Sequence, residues 1–193
     1  MAYQPKIMAF AGSLRKNSYN KKILAIAAKG AEEAGALVTI VDLRDYPLPI
    51  YDQDIEDEKG LPENAKILKK IMRENQGLLI AAPEYNSSIS GVLKNTIDWI
   101  SRQETPQEPG LDCFNNKIAA LISASPGGFG GMRGLVHLRS ILGNINVIVL
   151  PGQHSVPAVH EHFDASGNYI KNTDSLKTIG RNLAEALKKF HPQ

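Results

Sequence analysis

The stretch GSLRKNSYN, Gly12 to Asn20, crowds hydrogen-bonding groups and one cationic fork into a single turn between an apolar run and a helical pattern. Ser13, Asn17, Ser18 and Asn20 bring hydroxyl or amide groups, and Arg15 brings a planar guanidinium. Backbone N–H groups at the start of a helix lack intrahelical partners, and the helix dipole favours negative charge there. Together these groups describe a socket for a terminal phosphate. Capping of the helix by Ser18 or Asn17 accounts for one residue of the set, not for Ser13, Arg15 and Asn20 as well.

Two later segments have the composition of a partner wall. PEYNSSISG runs from Pro83 to Gly91 and offers the Tyr85 ring beside polar edges from Asn86 and the serines. A flat heteroaromatic ring with a polar rim suits such a loop, although Asn and Ser also favour ordinary surface turns. SASPGGFGGMRG adds Ser125, Gly127, Gly128, Gly130 and Gly131, where backbone can approach a ligand closely or simply turn from strand to helix. Energetics ask for more than one loop. Charge-assisted hydrogen bonds contribute about 1.5–3 kcal/mol each, whereas nanomolar retention needs about 12 kcal/mol net. A phosphate grip alone is marginal, and burial of a ring system must supply the rest.

Apolar runs and helical patterns alternate along the chain and would position these loops. Lys6–Gly12, Leu37–Leu43, Gly77–Pro83, Lys117–Ser125 and the run NVIVLPG read as five strands, short and mostly apolar. Helical spacing follows each: after Ser18, over Glu63–Asn75, over Gly91–Arg102, in RGLVHLRSILGNI, and in the amphipathic DSLKTIGRNLAEALKKF. The segment YPLPIYDQDIEDEKGLPEN reads as a long surface connection. Five strands alternating with helices imply a parallel sheet covered on both faces, and no repeat or linker divides residues 1–193. Neither Gly-x-Gly-x-x-Gly nor the P-loop pattern occurs. The expectation is therefore an α/β, doubly wound, flavodoxin-like sheet of order 2-1-3-4-5. In that order FMN lies between strands one and three, where the first two polar loops emerge.

Composition narrows the class further. With 42% apolar and 22% charged residues over 193 positions, the chain suits one globular domain with a substantial core. A net charge of +2, without basic runs interleaved with aromatics, argues against nucleic acid as a partner. Cys113 is the single cysteine, so an intramolecular disulfide and a cysteine-based zinc site are excluded. The opening MAYQPKIMAF lacks the features of a signal peptide and no run approaches membrane-span length, so a cytoplasmic protein without membrane attachment is expected.

Taken together, GSLRKNSYN, PEYNSSISGVLKNTIDWISR and SPGGFGG resemble the NADPH-dependent FMN reductases of the flavodoxin-like superfamily, which include chromate, quinone and azo-dye reductases. The resemblance spans nearly the whole chain. It implies that Ser13, Arg15, Asn17, Ser18 and Asn20 cradle the FMN phosphate. It further implies that Pro83, Glu84, Tyr85 and Asn86 line the isoalloxazine ring, with Ser125, Gly127 and Gly128 closing the other side. The implied reaction passes hydride from NAD(P)H to FMN and then to an acceptor such as a quinone, flavin, chromate or azo compound, in a ping-pong cycle without a catalytic side chain. The alternative is a flavodoxin-type electron carrier or a flavin-binding regulatory module that does not oxidise pyridine nucleotides. A homodimer or homotetramer is also implied. Trp99 falls off the Val92–Thr96–Ile100 stripe and suits either an interface helix or the core.

Other candidate groups read as structural. His160 and His162 alternate in a probable loop and lack the i, i+4 spacing of a helical metal site, with His154 the only other candidate nearby, so no metal is expected. DIEDEK reads as a solvated loop, Cys113 as structural, and His137 as packed or solvent-facing.

Overall fold

The computed structural model describes residues 3–190. Its main sheet contains β1 (Lys6–Ala11), β2 (Leu37–Val41), β3 (Gly77–Ala81), β6 (Ile118–Ala124) and β7 (Ile148–Val156) in the order β2-β1-β3-β6-β7. All neighbouring pairs are parallel. Numbered by sheet strand alone, this is the expected 2-1-3-4-5 order. The three inner strands are buried almost throughout, because helices cover both faces.

One face is covered by α1 (Tyr19–Glu33) and α6 (Asp174–Phe190), whose Ile23, Leu24, Ala27, Leu176, Leu183 and Leu187 pack against Ile7, Leu79 and Ile122. These two helices touch backbone to backbone. A Cβ at Gly30 would stand 2.1 Å from the carbonyl oxygen of Lys177, and one at Gly180 would stand 1.9 Å from that of Ala27. The opposite face carries α3 (Glu63–Arg73), α4 (Gly91–Ile100) and α5 (Met132–Asn144), packed on Met8, Leu78, Ile80 and Leu121.

Two sequence expectations need correction. The segment read as a surface connection, with DIEDEK read as a solvated loop, forms a helix, α2 (Gln53–Lys59); none of its residues is buried, and its Glu56 pairs with Arg102 at 2.9 Å. Leu61, Leu48, Tyr51 and Ile55 from the same region pack into the core. Sparse apolar residues separated by prolines carry no helical period, so their inward direction is set by contact with α3 and α4, where Asn64 donates to the Pro47 carbonyl and Asn95 and Trp99 to that of Pro49. Second, β7 runs on to Val156, past the Pro151-Gly152 pair that reads as a stop; a register irregularity opposite Ala119–Leu121 absorbs both, at a sheet edge where proline costs no ladder bond. Of the two places that the sequence left open for Trp99, it takes the core and is fully buried in its own chain. Its indole N–H donates to the Pro49 carbonyl at 2.8 Å and its ring meets Tyr51 edge-on at 5.0 Å, which removes it from any interface.

Candidate functional site

β1 and β3 are neighbours, and their helices depart to opposite faces, so the chain opens a crevice at their carboxyl ends. A concave cleft there is lined by Ser13, Arg15, Ser18, Tyr19, Asn20, Pro83, Glu84, Tyr85, Ala124, Ser125 and Pro126. The first and third loops thus face one another across the switch point, and the fourth loop joins them.

The first loop meets the start of α1. Ser18 occupies the N-cap position with extended backbone, yet its side chain makes no capping bond. It is 3% exposed, and among the described residues its hydroxyl has no partner. The first intrahelical bond runs from the Lys22 N–H to the Ser18 carbonyl at 3.1 Å, leaving the N–H groups before it without helical acceptors. Ser13 is as buried as Ser18; its hydroxyl oxygen accepts only a long 3.4 Å contact from the Arg15 N–H, so its own proton is free to donate. Arg15 is exposed and makes no ion pair among the described residues. Lys21, one turn further on, is held by Asp42 at 2.6 Å and is not part of this set.

Asn20 behaves differently. Its amide nitrogen donates to the Ala124 carbonyl at 2.9 Å, and its amide oxygen accepts from the Ala124 N–H at 3.0 Å. One N–H and the oxygen of the amide are engaged at the end of β6, so Asn20 borders the cleft as a strap between α1 and the sheet, with one N–H left over. Asn17 lies on the exposed side of the turn and outside the cleft lining.

The third loop is a tight hairpin. Pro83 is buried, then β4 (Glu84–Tyr85) pairs with β5 (Ser88–Ile89), and Tyr85 faces Ser88 across the ladder. Asn86 and Ser87 form the turn with φ of 52° and 66°, the double positive φ of a type I′ connection. The turn tip places Asn86 away from the cleft, while Tyr85, 52% exposed, borders it. Ser90 begins α4 as its side-chain N-cap and donates its hydroxyl proton to the Gly12 carbonyl at 2.6 Å, tying the third loop to the first.

In the fourth loop, Ser125 and Pro126 line the cleft, whereas Gly127 and Gly128 are exposed and outside the lining. The glycines that the fold requires are the next pair. Gly130 has φ +61°, and a Cβ there would meet Val156 and Pro157 backbone at 2.7 Å; Gly131 has φ +89° and abuts Ser123. Tyr19, Ala124 and Pro126 line the cleft without having been singled out from sequence. Tyr19 could have been found as the first residue of the helix after a phosphate-type loop; its ring lies 5.3 Å from Phe163, which a distant segment supplies.

The remaining candidates lie elsewhere. Among the described residues no group of three or more His, Cys, Asp or Glu side chains converges. His162 sits in a short 3-10 turn with Nδ1 3.1 Å from the Tyr169 hydroxyl, and burial followed by the His162 charge lowers the His154 pKa. Burial pushes the Cys113 thiol up to about 11, leaving it protonated and inert at neutral pH.

A parallel sheet of this order, with an anion-type cleft at its switch point, defines a flavodoxin-like α/β protein. Residues 5–161 match the family model for NADPH-dependent FMN reductase, and the chain belongs to that family of oxidoreductases. It is 35% identical over 153 residues to a quinone reductase of Escherichia coli (strain K12), covering 78% of this chain and 76% of that one. It is 36% identical over 166 residues to an NAD(P)H-dependent FMN reductase of Pseudomonas aeruginosa, covering 86% and 84%. Among solved structures, the flavoenzyme NAD(P)H:(acceptor) oxidoreductase FerB of Paracoccus denitrificans superposes with a TM-score of 0.75 at 26% identity, covering 96% of this chain and 98% of that chain. No helix among the described residues is long and apolar enough to cross a membrane.

Proposed function

We propose that the cleft holds FMN, with its phosphate on the Ser13–Ser18 turn and the start of α1 and its ring toward Pro83–Tyr85, and that the protein uses it to pass reducing equivalents from NAD(P)H to a quinone-class acceptor. The carrying observation is Ser18: a residue 3% exposed at a helix N-cap, whose hydroxyl keeps access to the cleft and, among the described residues, neither caps its helix nor finds another partner. An anion at that position would accept from Ser18, Ser13 and the free N–H groups of α1 while facing the Arg15 guanidinium. This donor set fits a phosphate monoester.

Bound FMN supplies the two-electron chemistry, taking hydride equivalents from a nicotinamide and yielding them to an acceptor. The protein's part is to hold and shield. Ser13, Ser18 and Arg15 fix the phosphate end. The Pro83–Tyr85 backbone and Tyr85 ring form one wall, and Ser125 with Pro126 form the other. The carboxylate in the lining, Glu84, is committed to α5 and is not available as an acid or base. Alternate use of one open face by nicotinamide and acceptor gives the ping-pong order. The family resemblance supports a homodimer or homotetramer, with residues 1–193 acting as one FMN-binding domain in the cytoplasm. Exposed Phe129, Met132 and Val136 give the α5 side an apolar face for such contacts.

Mixing FMN-loaded protein with NADPH under anaerobic conditions tests the reading. Prompt bleaching of the flavin band near about 450 nm, reversed by a quinone, is the expected outcome. A protein that binds FMN but does not bleach is a carrier, and one that takes up no FMN ends the proposal. Turnover with quinone, chromate, azo dye and free flavin, against NADPH and NADH, then ranks the acceptors and donors.

A further inference from the structure

Glu84 stands inside the segment that sequence and family resemblance assign to the flavin ring, yet its carboxylate points away from that task. Oε1 receives the Arg133 side chain at 2.8 Å from Nε and 2.6 Å from a terminal guanidinium nitrogen. Oε2 accepts the backbone N–H of Arg133 at 3.0 Å and that of Gly134 at 3.2 Å. These are the second and third residues of α5, whose own N-cap, Gly131, has no side chain to offer. The Glu84 side chain is 7% exposed. It therefore caps α5 from another loop, placing a negative charge where the helix dipole favours one.

A second contact fixes the far strand of the same hairpin. Ser88 Oγ lies 2.9 Å from His137 Nδ1, one helical turn beyond Arg133. Between the two anchors the surfaces nearly touch: a Cβ at Gly134 would lie 3.2 Å from the Ser88 carbonyl oxygen and 3.4 Å from Glu84 Cβ. Both strands of the hairpin are thus bound to the first two turns of α5. The loop after β6 ends in α5, so one carboxylate joins two walls of the cleft.

We propose that Glu84 and Arg133 are positioning residues that clamp the β4–β5 hairpin to α5 and so set the ring-side wall, rather than ligands of the flavin. The proposal rests on the FMN reading above. It requires the clamp to act on the ring and not on the phosphate, and two flavins separate these. Riboflavin carries the ring without the phosphate, whereas FMN carries both.

The test titrates apo protein with each flavin by fluorescence quenching and follows hydrogen exchange of the residue 84–90 amides without flavin. Glu84→Ala is expected to raise the Kd of FMN and of riboflavin by the same factor, about tenfold, and to accelerate exchange in the hairpin. Arg15→Ala should raise the Kd for FMN alone. Glu84→Gln, which keeps an oxygen for the α5 N–H groups, should fall between wild type and Glu84→Ala. Adding Glu84→Gln to Arg133→Ala should recover part of the loss, because the single Arg133→Ala change strands a buried carboxylate. Unchanged riboflavin affinity in Glu84→Ala, or unchanged hairpin exchange, overturns the clamp. A wild-type protein that binds neither flavin overturns the reading of the cleft instead, and the exchange data still report whether the clamp holds the hairpin.

Discussion

The two polar segments that border the cleft, Ser13–Asn20 and Glu84–Ser88, draw on similar residue types and use them in opposite ways. In the first, Ser13, Ser18 and Arg15 keep donors without acceptors among the described residues, and the helix behind them contributes N–H groups that have no helical acceptors. In the second, Glu84 and Ser88 are spent on α5, and Asn86 and Ser87 on a tight turn. Under the proposed reading, one segment is a receptor and the other a braced wall. The difference teaches that a polar loop beside a cleft declares its role by which of its groups are left over, not by how many it has.

Asn20 tests that distinction most severely, because it lies in the receptor segment but is wired like the wall. Asn20→Ala removes two buried bonds to Ala124 and leaves its N–H and carbonyl without these partners, so the apo protein should lose about 2–4 kcal/mol in urea unfolding. A loss confined to FMN affinity, with the unfolding midpoint intact, would break the comparison by making Asn20 a ligand. Arg15→Ala and Ser18→Ala come next. Each should weaken FMN by about 1.5–3 kcal/mol while leaving apo stability within about 0.5 kcal/mol, read by flavin titration and urea unfolding of the same samples.

Smaller effects sharpen the picture at the edges of each segment. Ser87→Gly should stabilise the protein by about 0.5–1 kcal/mol, since φ of 66° strains a side-chain-bearing residue and glycine adopts it freely. Thermal unfolding would show it as a modest rise in Tm, and a fall would mean that Ser87 makes a contact the turn geometry does not require. The smallest effect concerns the Lys21–Asp42 pair behind the receptor. Burial would raise the Asp42 pKa, but the Lys21 and Arg44 N–H bonds outweigh it and hold the carboxyl below its ordinary 3.8. A depressed carboxyl contributes stability that is present above pH 3.8 and is lost as the pH falls through the folded value. Asp42→Asn should therefore flatten the decline of the urea midpoint below about pH 4, an order-of-magnitude window set by the ordinary carboxylate range.

Much of the architecture was written into local pattern. The ends of α6 and the start of α4 coincide with their sequence boundaries, and four strands agree within about two residues. Periodicity and stop signals are local properties, so they are legible wherever one face is buried. β7 escaped in part because Pro151-Gly152 reads as a stop, and only pairing with β6 carries the strand past it. α2 escaped because Ile55 is its single apolar residue and only partly buried, leaving no apolar period to read. Trp99 fell off its apparent stripe because the Pro49 segment folds over the far side of α4.

At the site, sequence by itself fixed that Ser13, Arg15 and Ser18 would sit after the first strand and that Tyr85 would sit after the third. Strand order then required the two groups to meet. Tertiary structure alone decided which side chains remain available. Asn20 and Glu84 carry the right chemistry at the right places, but Ala124 and the start of α5 claim it first. The physical reason is that a hydrogen-bonding group has a fixed capacity. Its partner, 104 residues away for Asn20 and 49 for Glu84, is brought into reach only when the sheet has formed.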